Sequence, residues 1–224
     1  MHLHYELSGT GMPIVLSSGI GHTTTVWDEL TAPLADHGRV LRWDYRGHGR
    51  SERASDPQAY ASERGVDDLL QMIAKAGGSA EHPAVLIGHS LGGYLSLCAA
   101  IRQPELVRAL VLIATGPGFR DAAARERWNQ YAMTVKIGPD ADPAALRLGV
   151  HADGTVIEKL PTLAMPSLVI VGSEDTRFLA AKDYFLAKLP NARGLTIDGG
   201  RHSVHRTHAA VVNDAILEFL RAEV

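Results

Sequence analysis

Three residues that together can open an acyl bond lie far apart in this chain: Ser90, Asp175 and His202. Ser90 sits in Gly88-His89-Ser90-Leu91-Gly92, with glycine two residues away on each side. A serine hydroxyl is a weak nucleophile at neutral pH unless its proton leaves as it attacks. An imidazole, ordinarily titrating near pH 6.5, can take that proton, and a carboxylate can fix the ring's tautomer and stabilise the imidazolium. The pentapeptide alone is a weak signal, since a structural strand–helix turn could carry the same residues. Its weight depends on the elements around it.

Those elements alternate. Ile14–Leu16, Ala84–Ile87, Ala109–Ile113 and Leu168–Val171 are short, continuous apolar runs, the pattern of strands covered on both faces. Val40–Trp43 and Gly194–Ile197 read as further strands, and His2–Leu7 as an edge strand. Val66, Leu69, Leu70 and Ile73 form a helical stripe ended by Gly77-Gly78, and Val212, Ala215, Ile216 and Phe219 form another. This alternation predicts an α/β fold: a doubly wound, mostly parallel sheet with helices on both faces. In such sheets the reactive loops lie at the carboxyl ends of the strands.

Each of the three residues falls just past such an end. Ser90 follows a buried run and precedes a helix of small residues (Gly92, Gly93, Ser96, Ala99, Ala100), where Gly88 and Gly92 relieve the crowding of a tight turn. Leu91 N–H, at the start of that helix, would face an oxyanion beside the serine. Asp175 follows Val169–Val171, and His202 follows Thr196-Ile197. Asp198 is a rival acid but would have to fold back over Gly199-Gly200; Glu174 is expected to turn outward.

From Phe119 to Met165 no strand is evident. Trp128, Tyr131, Ala132 and Val135 make a helical stripe, and Asp142-Pro143 reads as an N-cap and first residue of a shorter helix. Residues 119–165 are read as a small lid over a single-domain core formed by 1–118 and 166–224, with a plain crossover as the alternative. Trp128, Tyr131 and His22 are candidate pocket-lining residues. His89 is expected to support the elbow by packing, and His48 to serve turn chemistry. Asp44 and Arg46 are expected to form an internal ion pair bracing the loops. His202, His205 and His208 are three apart, and His2 and His4 alternate, but no carboxylate or thiol completes a metal site. No metal is therefore expected, and His205 and His208 are read as solvated.

Composition narrows the classes. A chain of 224 residues with 46% hydrophobic and 21% charged residues is long enough for one large-cored domain. A net charge of −3 gives no electrostatic case for nucleic acid or an anionic membrane. The one cysteine, Cys98, excludes an internal disulfide, suits a cytoplasmic setting and is read as a buried, small apolar residue. The first residues, MHLHYELSGTG, lack the basic-then-apolar order of a signal peptide, and no apolar run is long enough to span a bilayer. Gly19-Ile20-Gly21 and Gly47-His48-Gly49 do not continue into a dinucleotide fingerprint, so no cofactor is expected. Nothing in the pattern indicates an oligomeric state.

Five motifs in order resemble the α/β-hydrolase family over nearly the whole chain: LSSGIG (Leu16–Gly21), WDYRGHGRS (Trp43–Ser51), GHSLGG, VGSEDT and GGRHSVH. The resemblance implies Ser90 as nucleophile, His202 as general base and acid, Asp175 as its orienter, and Leu91 and Ile20 N–H as oxyanion donors. Ser18 stands where many members have a histidine, which leaves Gly19 and Gly21 as alternatives to Ile20. The implied activity is hydrolysis of a small or medium carboxylic ester or lactone through an acyl-enzyme. C–C bond hydrolysis, thioester hydrolysis and acyl transfer use the same residues. Members acting on haloalkanes or epoxides typically use an aspartate nucleophile, against which Ser90 argues. A ligand-binding protein with slow or no turnover is the reading from another class.

Overall fold

The computed structural model describes residues 1–224. Its seven strands are β1 (Tyr5–Ser8), β2 (Pro13–Ser17), β3 (Arg39–Trp43), β4 (Ala84–His89), β5 (Val107–Ile113), β6 (Ser167–Gly172) and β7 (Ala192–Ile197). They form one sheet in the order β1-β3-β2-β4-β5-β6-β7. Only β1 runs antiparallel to its neighbour; the other pairings are parallel. The edge strand starts later than the sequence predicts, because residues 2–4 pair with a loop instead. His4 N–H donates to Ser51 Oγ at 2.8 Å, and Asp44 N–H to His4 C=O at 3.0 Å.

The eight helices are α1 (Asp28–Ala35), α2 (Ser62–Lys75), α3 (Leu91–Arg102), α4 (Ala122–Ala132), α5 (Thr155–Lys159), α6 (Leu179–Lys188), α7 (Val204–Thr207) and α8 (Ala209–Glu223). The continuous apolar runs serve two cores, because alternate strand residues point to opposite faces. Val15, Leu41, Leu86, Leu110 and Val169 pack with α2, α3 and α6; Ile14, Leu16, Val85, Ile87 and Ile170 pack with α1 and α8. The α2 stripe buries Val66, Leu69 and Ile73, and the helix ends where Gly77 adopts φ +92°. A fully buried leucine or isoleucine such as Leu69 or Ile73 contributes about 1.5–3 kcal/mol.

Chain order makes the site. From β2 the chain crosses through α1 to β3 on one side, then through α2 to β4 on the other. The loops leaving β2 and β4 therefore diverge, opening a crevice at the carboxyl edge of two adjacent strands. Residues 17–22 and 89–91 border that crevice. Residues 119–165 contain no strand of the sheet: they hold α4, a 3₁₀ stretch at Pro143–Gly149, α5 and a further 3₁₀ turn at Leu160–Thr162. Asp142 caps the Pro143 stretch through Ala144 N–H at 2.9 Å, as its sequence predicts, but the helix is 3₁₀ rather than α. No helix is long and apolar enough to cross a membrane.

Candidate active site

Ser90 links β4 to α3 with φ +52° and ψ −113°, a conformation L-residues rarely adopt. Such strain costs on the order of 1–3 kcal/mol and persists only where the surroundings impose it. Here Ser90 N–H donates to Ile113 C=O at 2.9 Å, while Thr115 Oγ1 donates to Ser90 C=O at 2.7 Å. The flanking glycines are required by contact. A Cβ on Gly88 would stand 2.4 Å from the Gly92 carbonyl, and one on Gly92 would stand 2.0 Å from Ser17 O.

The acid and histidine loops meet by the same means. Gly172 closes β6, and a Cβ there would come within 2.1 Å of Gly200 O; Glu174 N–H donates to that same carbonyl at 2.8 Å. The two loops thus touch backbone to backbone. Their contact brings His202 Nδ1–H to Asp175 Oδ2 at 2.9 Å, while Ser90 Oγ–H reaches His202 Nε2 at 3.1 Å. Asp175 is 6% exposed and His202 is half-buried. The Phe178 ring stacks on His202 with centroids 5.1 Å apart. From behind, His89 Nε2–H donates to the His202 carbonyl at 2.9 Å. The rival acids face away: exposed Glu174 pairs with Arg201 at 2.9 Å, and exposed Asp198 meets Ser173 Oγ at 3.5 Å.

The backbone donors sort themselves by what they already hold. Gly92 N–H is taken by Ser18 C=O (3.0 Å), and Gly21 N–H by His48 Nε2 (2.9 Å). Leu91, Ile20 and Gly19 N–H donate to no protein group, and all three residues line the same cavity as Ser90. The loop that carries Ile20 is braced by Tyr45, whose hydroxyl donates to Ser18 C=O at 2.6 Å.

Ser90 opens into a cavity of about 740 Å³. His22, Trp128 and Tyr131 line it. Segment 119–165 supplies one wall: Trp128 Nε1–H donates to Gly149 C=O at 3.0 Å, and its ring lies 5.3 Å from His151 and 5.8 Å from Tyr131.

A sequence model described as the alpha/beta hydrolase fold matches residues 12–152. The chain belongs to the α/β-hydrolase family. Among its relatives is a pimeloyl-[acyl-carrier protein] methyl ester esterase of Xanthomonas campestris. It is 30% identical over an aligned stretch of 262 residues, gaps included, covering 98% of this chain and 99% of that protein. Among solved structures, MenH from S. aureus superposes with a TM-score of 0.84 at 18% identity, covering 98% of each chain. The enol-lactonase from Burkholderia xenovorans LB400 does so with a TM-score of 0.82 at 23% identity, covering 98% of this chain and 96% of that one.

Two sequence expectations about the family's loops are corrected. Asp44 and Arg46 do not pair. Asp44 accepts from Thr24 N–H (2.7 Å) and Arg50 N–H (3.0 Å), so the loop wraps around its carboxylate. Arg46 points the other way and holds Asp68 of α2 through two bonds of 2.6 and 2.7 Å. Second, His205 is not solvated: it is 5% exposed, packed on Trp27 and His89, because the turn into α7 folds it under the sheet's edge. Burial pushes its pKa down to about 3. His208 is half-buried, against Thr207 Oγ1 at 2.9 Å. His48 donates through Nδ1–H to Arg46 C=O at 3.1 Å, a loop brace as expected. Cys98 is half-buried beside Tyr94, and burial pushes its thiol up to about 12, out of range for nucleophilic work at neutral pH.

His151 and Phe178 escaped sequence reasoning. His151 stacks on Tyr94 with centroids 3.8 Å apart, and burial lowers its pKa to about 3, so a neutral imidazole faces the cavity. Asn129 clamps its backbone from both sides, at 2.8 and 3.0 Å. The spacing Asn129–His151 fits no periodic pattern, so only the folded wall brings the two together.

Proposed function

We propose that this protein is a serine hydrolase that cleaves small or medium carboxylic esters or lactones through an acyl-enzyme. The observation that carries the reading is the His202 ring, within hydrogen-bond reach of Ser90 Oγ on one side and Asp175 on the other. The name of the esterase relative, 30% identical over almost the whole chain, supports ester cleavage.

In this reading Ser90 Oγ attacks the carbonyl carbon as its proton passes to His202 Nε2, and the carbonyl oxygen becomes an oxyanion. Leu91 and Ile20 N–H receive that charge; each such donor is worth roughly 3 kcal/mol in the transition state. The imidazolium, steadied by Asp175, returns the proton to the departing alkoxide, which leaves as alcohol. Water then gives a proton to His202, attacks the acyl-serine, and releases the carboxylic acid with Ser90 restored. Segment 119–165 acts as a lid wall that shapes the acyl pocket. A cavity of about 740 Å³ lies within the range of sites that enclose medium-sized ligands.

The test is covalent labelling. A fluorophosphonate should modify Ser90 in folded protein, and Ser90→Ala should abolish both labelling and p-nitrophenyl ester turnover, by at least about 10⁴-fold. Equal turnover by wild type and Ser90→Ala, with a ligand still raising the unfolding temperature, would replace this reading with that of a binding protein.

A further inference from the structure

We propose that the ester accepted here bears an oxyanion group, a carboxylate or a phosphate, at the end remote from the scissile carbonyl, held by Arg177 and Lys136. The inference rests on the serine-hydrolase reading for the bond cleaved, and on the charges of the cavity for the far end.

The cavity is lined by many apolar side chains, yet its charged groups are unbalanced. Asp175 is its only carboxylate, and that side chain is buried and committed to His202. Lys136 and Arg177 both line the cavity and are exposed to solvent. Neither enters any ion pair of the chain. Neither donates a hydrogen bond to another protein group, although most of the chain's other arginines do. Since the chain as a whole carries a net charge of −3, local positive charge here is not a general property of its surface.

The two cations are placed rather than scattered. Arg177 follows Asp175 by two residues and precedes Phe178, the ring stacked on His202, so it rises from the acid loop itself. Its guanidinium carbon stands 3.9 Å over the Tyr131 ring. That cation–π contact holds the guanidinium at the cavity while its N–H groups, which grip carboxylate or phosphate in a fork, have no protein partner. Lys136 follows α4 and precedes Ile137, whose side chain closes over Gly21 of the oxyanion loop; a Cβ on Gly21 would meet it at 2.7 Å. The cations therefore rise from the acid loop and from a segment packed on the oxyanion loop, and the same cavity has a wall of apolar side chains such as Ala132 and Val135. An acyl chain anchored at Ser90 and lying along that wall would present its far end to them. A neutral apolar ester would leave both charges unused.

The experiment compares matched esters. Mono-p-nitrophenyl adipate and p-nitrophenyl ω-phosphonohexanoate carry the anion; methyl p-nitrophenyl adipate is the neutral control. In wild type, kcat/KM should favour an anionic ester over the neutral one by about tenfold at low salt, chiefly through KM, with the preference shrinking as sodium chloride is added. In the double variant Arg177→Gln, Lys136→Gln that ratio should fall to near one, and Arg177→Lys should restore part of it. The carboxylate and phosphonate arms then show which oxyanion is preferred. A wild-type ratio at or below one, or an unchanged ratio in the double variant, overturns the proposal, whereas a purely structural role for Arg177 would depress all the esters alike. If Ser90 takes no fluorophosphonate and no ester turns over, the hydrolase reading fails by itself. The anion site is then still decided by whether adipate dianion raises the unfolding temperature of wild type more than that of the double variant.

Discussion

The two sides of the cavity are built on different principles. On the side of the sheet, Ser90, Asp175 and His202 are held by backbone: glycine-to-backbone approaches at Gly88, Gly92 and Gly172, and amide donors already paired with carbonyls. On the side of segment 119–165, the wall is side chain on side chain, with Trp128, Tyr131, Phe119 and His151 ring against ring. A backbone contact has no rotamer to relax into, so it fixes atoms to fractions of an ångström. A wall of rings can be re-cut one residue at a time. The sheet side thus fits a demand for invariant chemistry, and the wall fits a demand for selectivity.

The sharpest way to break that contrast is Gly172→Ala. Its Cβ would meet Gly200 O at 2.1 Å, forcing apart the loops that carry Asp175 and His202. A shift of about 1 Å at reacting atoms costs about 10²-fold, so kcat should fall at least that far while the protein still folds. Crystallography or NMR of the variant should show the two loops separated. Full activity with the added methyl accommodated would mean that the sheet side is as yielding as the wall. Trp128→Ala, by contrast, should act mainly on KM, and differently for short and long acyl esters, by about tenfold at most.

Acid should separate the regions less dramatically. Burial holds His151 in the wall and His205 beneath the sheet edge near pKa 3, against about 6.5 in the unfolded chain. The unfolded chain therefore binds more protons between these values, and stability falls as pH drops through that window; above about pH 6.5 these two groups make no difference to it. Each fully buried imidazole should contribute about 1.4 kcal/mol of lost stability per pH unit inside the window. Urea unfolding of wild type and His151→Phe between pH 7 and 4 should show a shallower acid decline in the variant. Parallel declines would mean that His151 reaches solvent and charges without penalty.

How much of this was legible beforehand depended on whether local pattern or long-range contact decided the outcome. The strands and the α2 and α8 stripes follow from apolar spacing, and the order of serine, acid and histidine loops follows from strand ends. The crowding that demands glycine at 88 was also readable, because it arises against Gly92 within five residues, whereas Gly92 is crowded by Ser17 of a distant strand. Gly172 against Gly200 was not, since nothing local marks a close approach between loops about 30 residues apart. The Asp44–Arg46 expectation failed for the same reason. Both residues lie in the loop beyond β3, where strand alternation no longer sets side-chain direction, and Arg46 finds Asp68 on a helix that local spacing could not place beside it. His205 was misread because its three-residue spacing from His202 and His208 implied one exposed helix, whereas α7 is a single short turn tucked inward.

His89 tests how far the sheet side relies on a side chain to hold the His202 backbone. It occupies the variable position of the serine pentapeptide, is fully buried, and donates from Nε2–H to the carbonyl of His202. Burial, with neighbouring imidazoles adding to it, holds its pKa well below the ordinary value, so the ring stays neutral throughout the working pH range. Its Nδ1 has no partner in the protein, which assigns the proton to Nε2. The ring therefore acts by fixing the backbone of His202, and only an Nε2–H donor is needed for that. His89→Gln, whose amide can donate to the same carbonyl, should keep most of kcat. His89→Leu, which fills the space but donates nothing, should lose about fivefold in kcat with little change in KM, since the hydrogen bond it removes is worth about 1 kcal/mol. If the two variants fall equally, the residue works by shape alone, and the His202 backbone is positioned without its hydrogen bond.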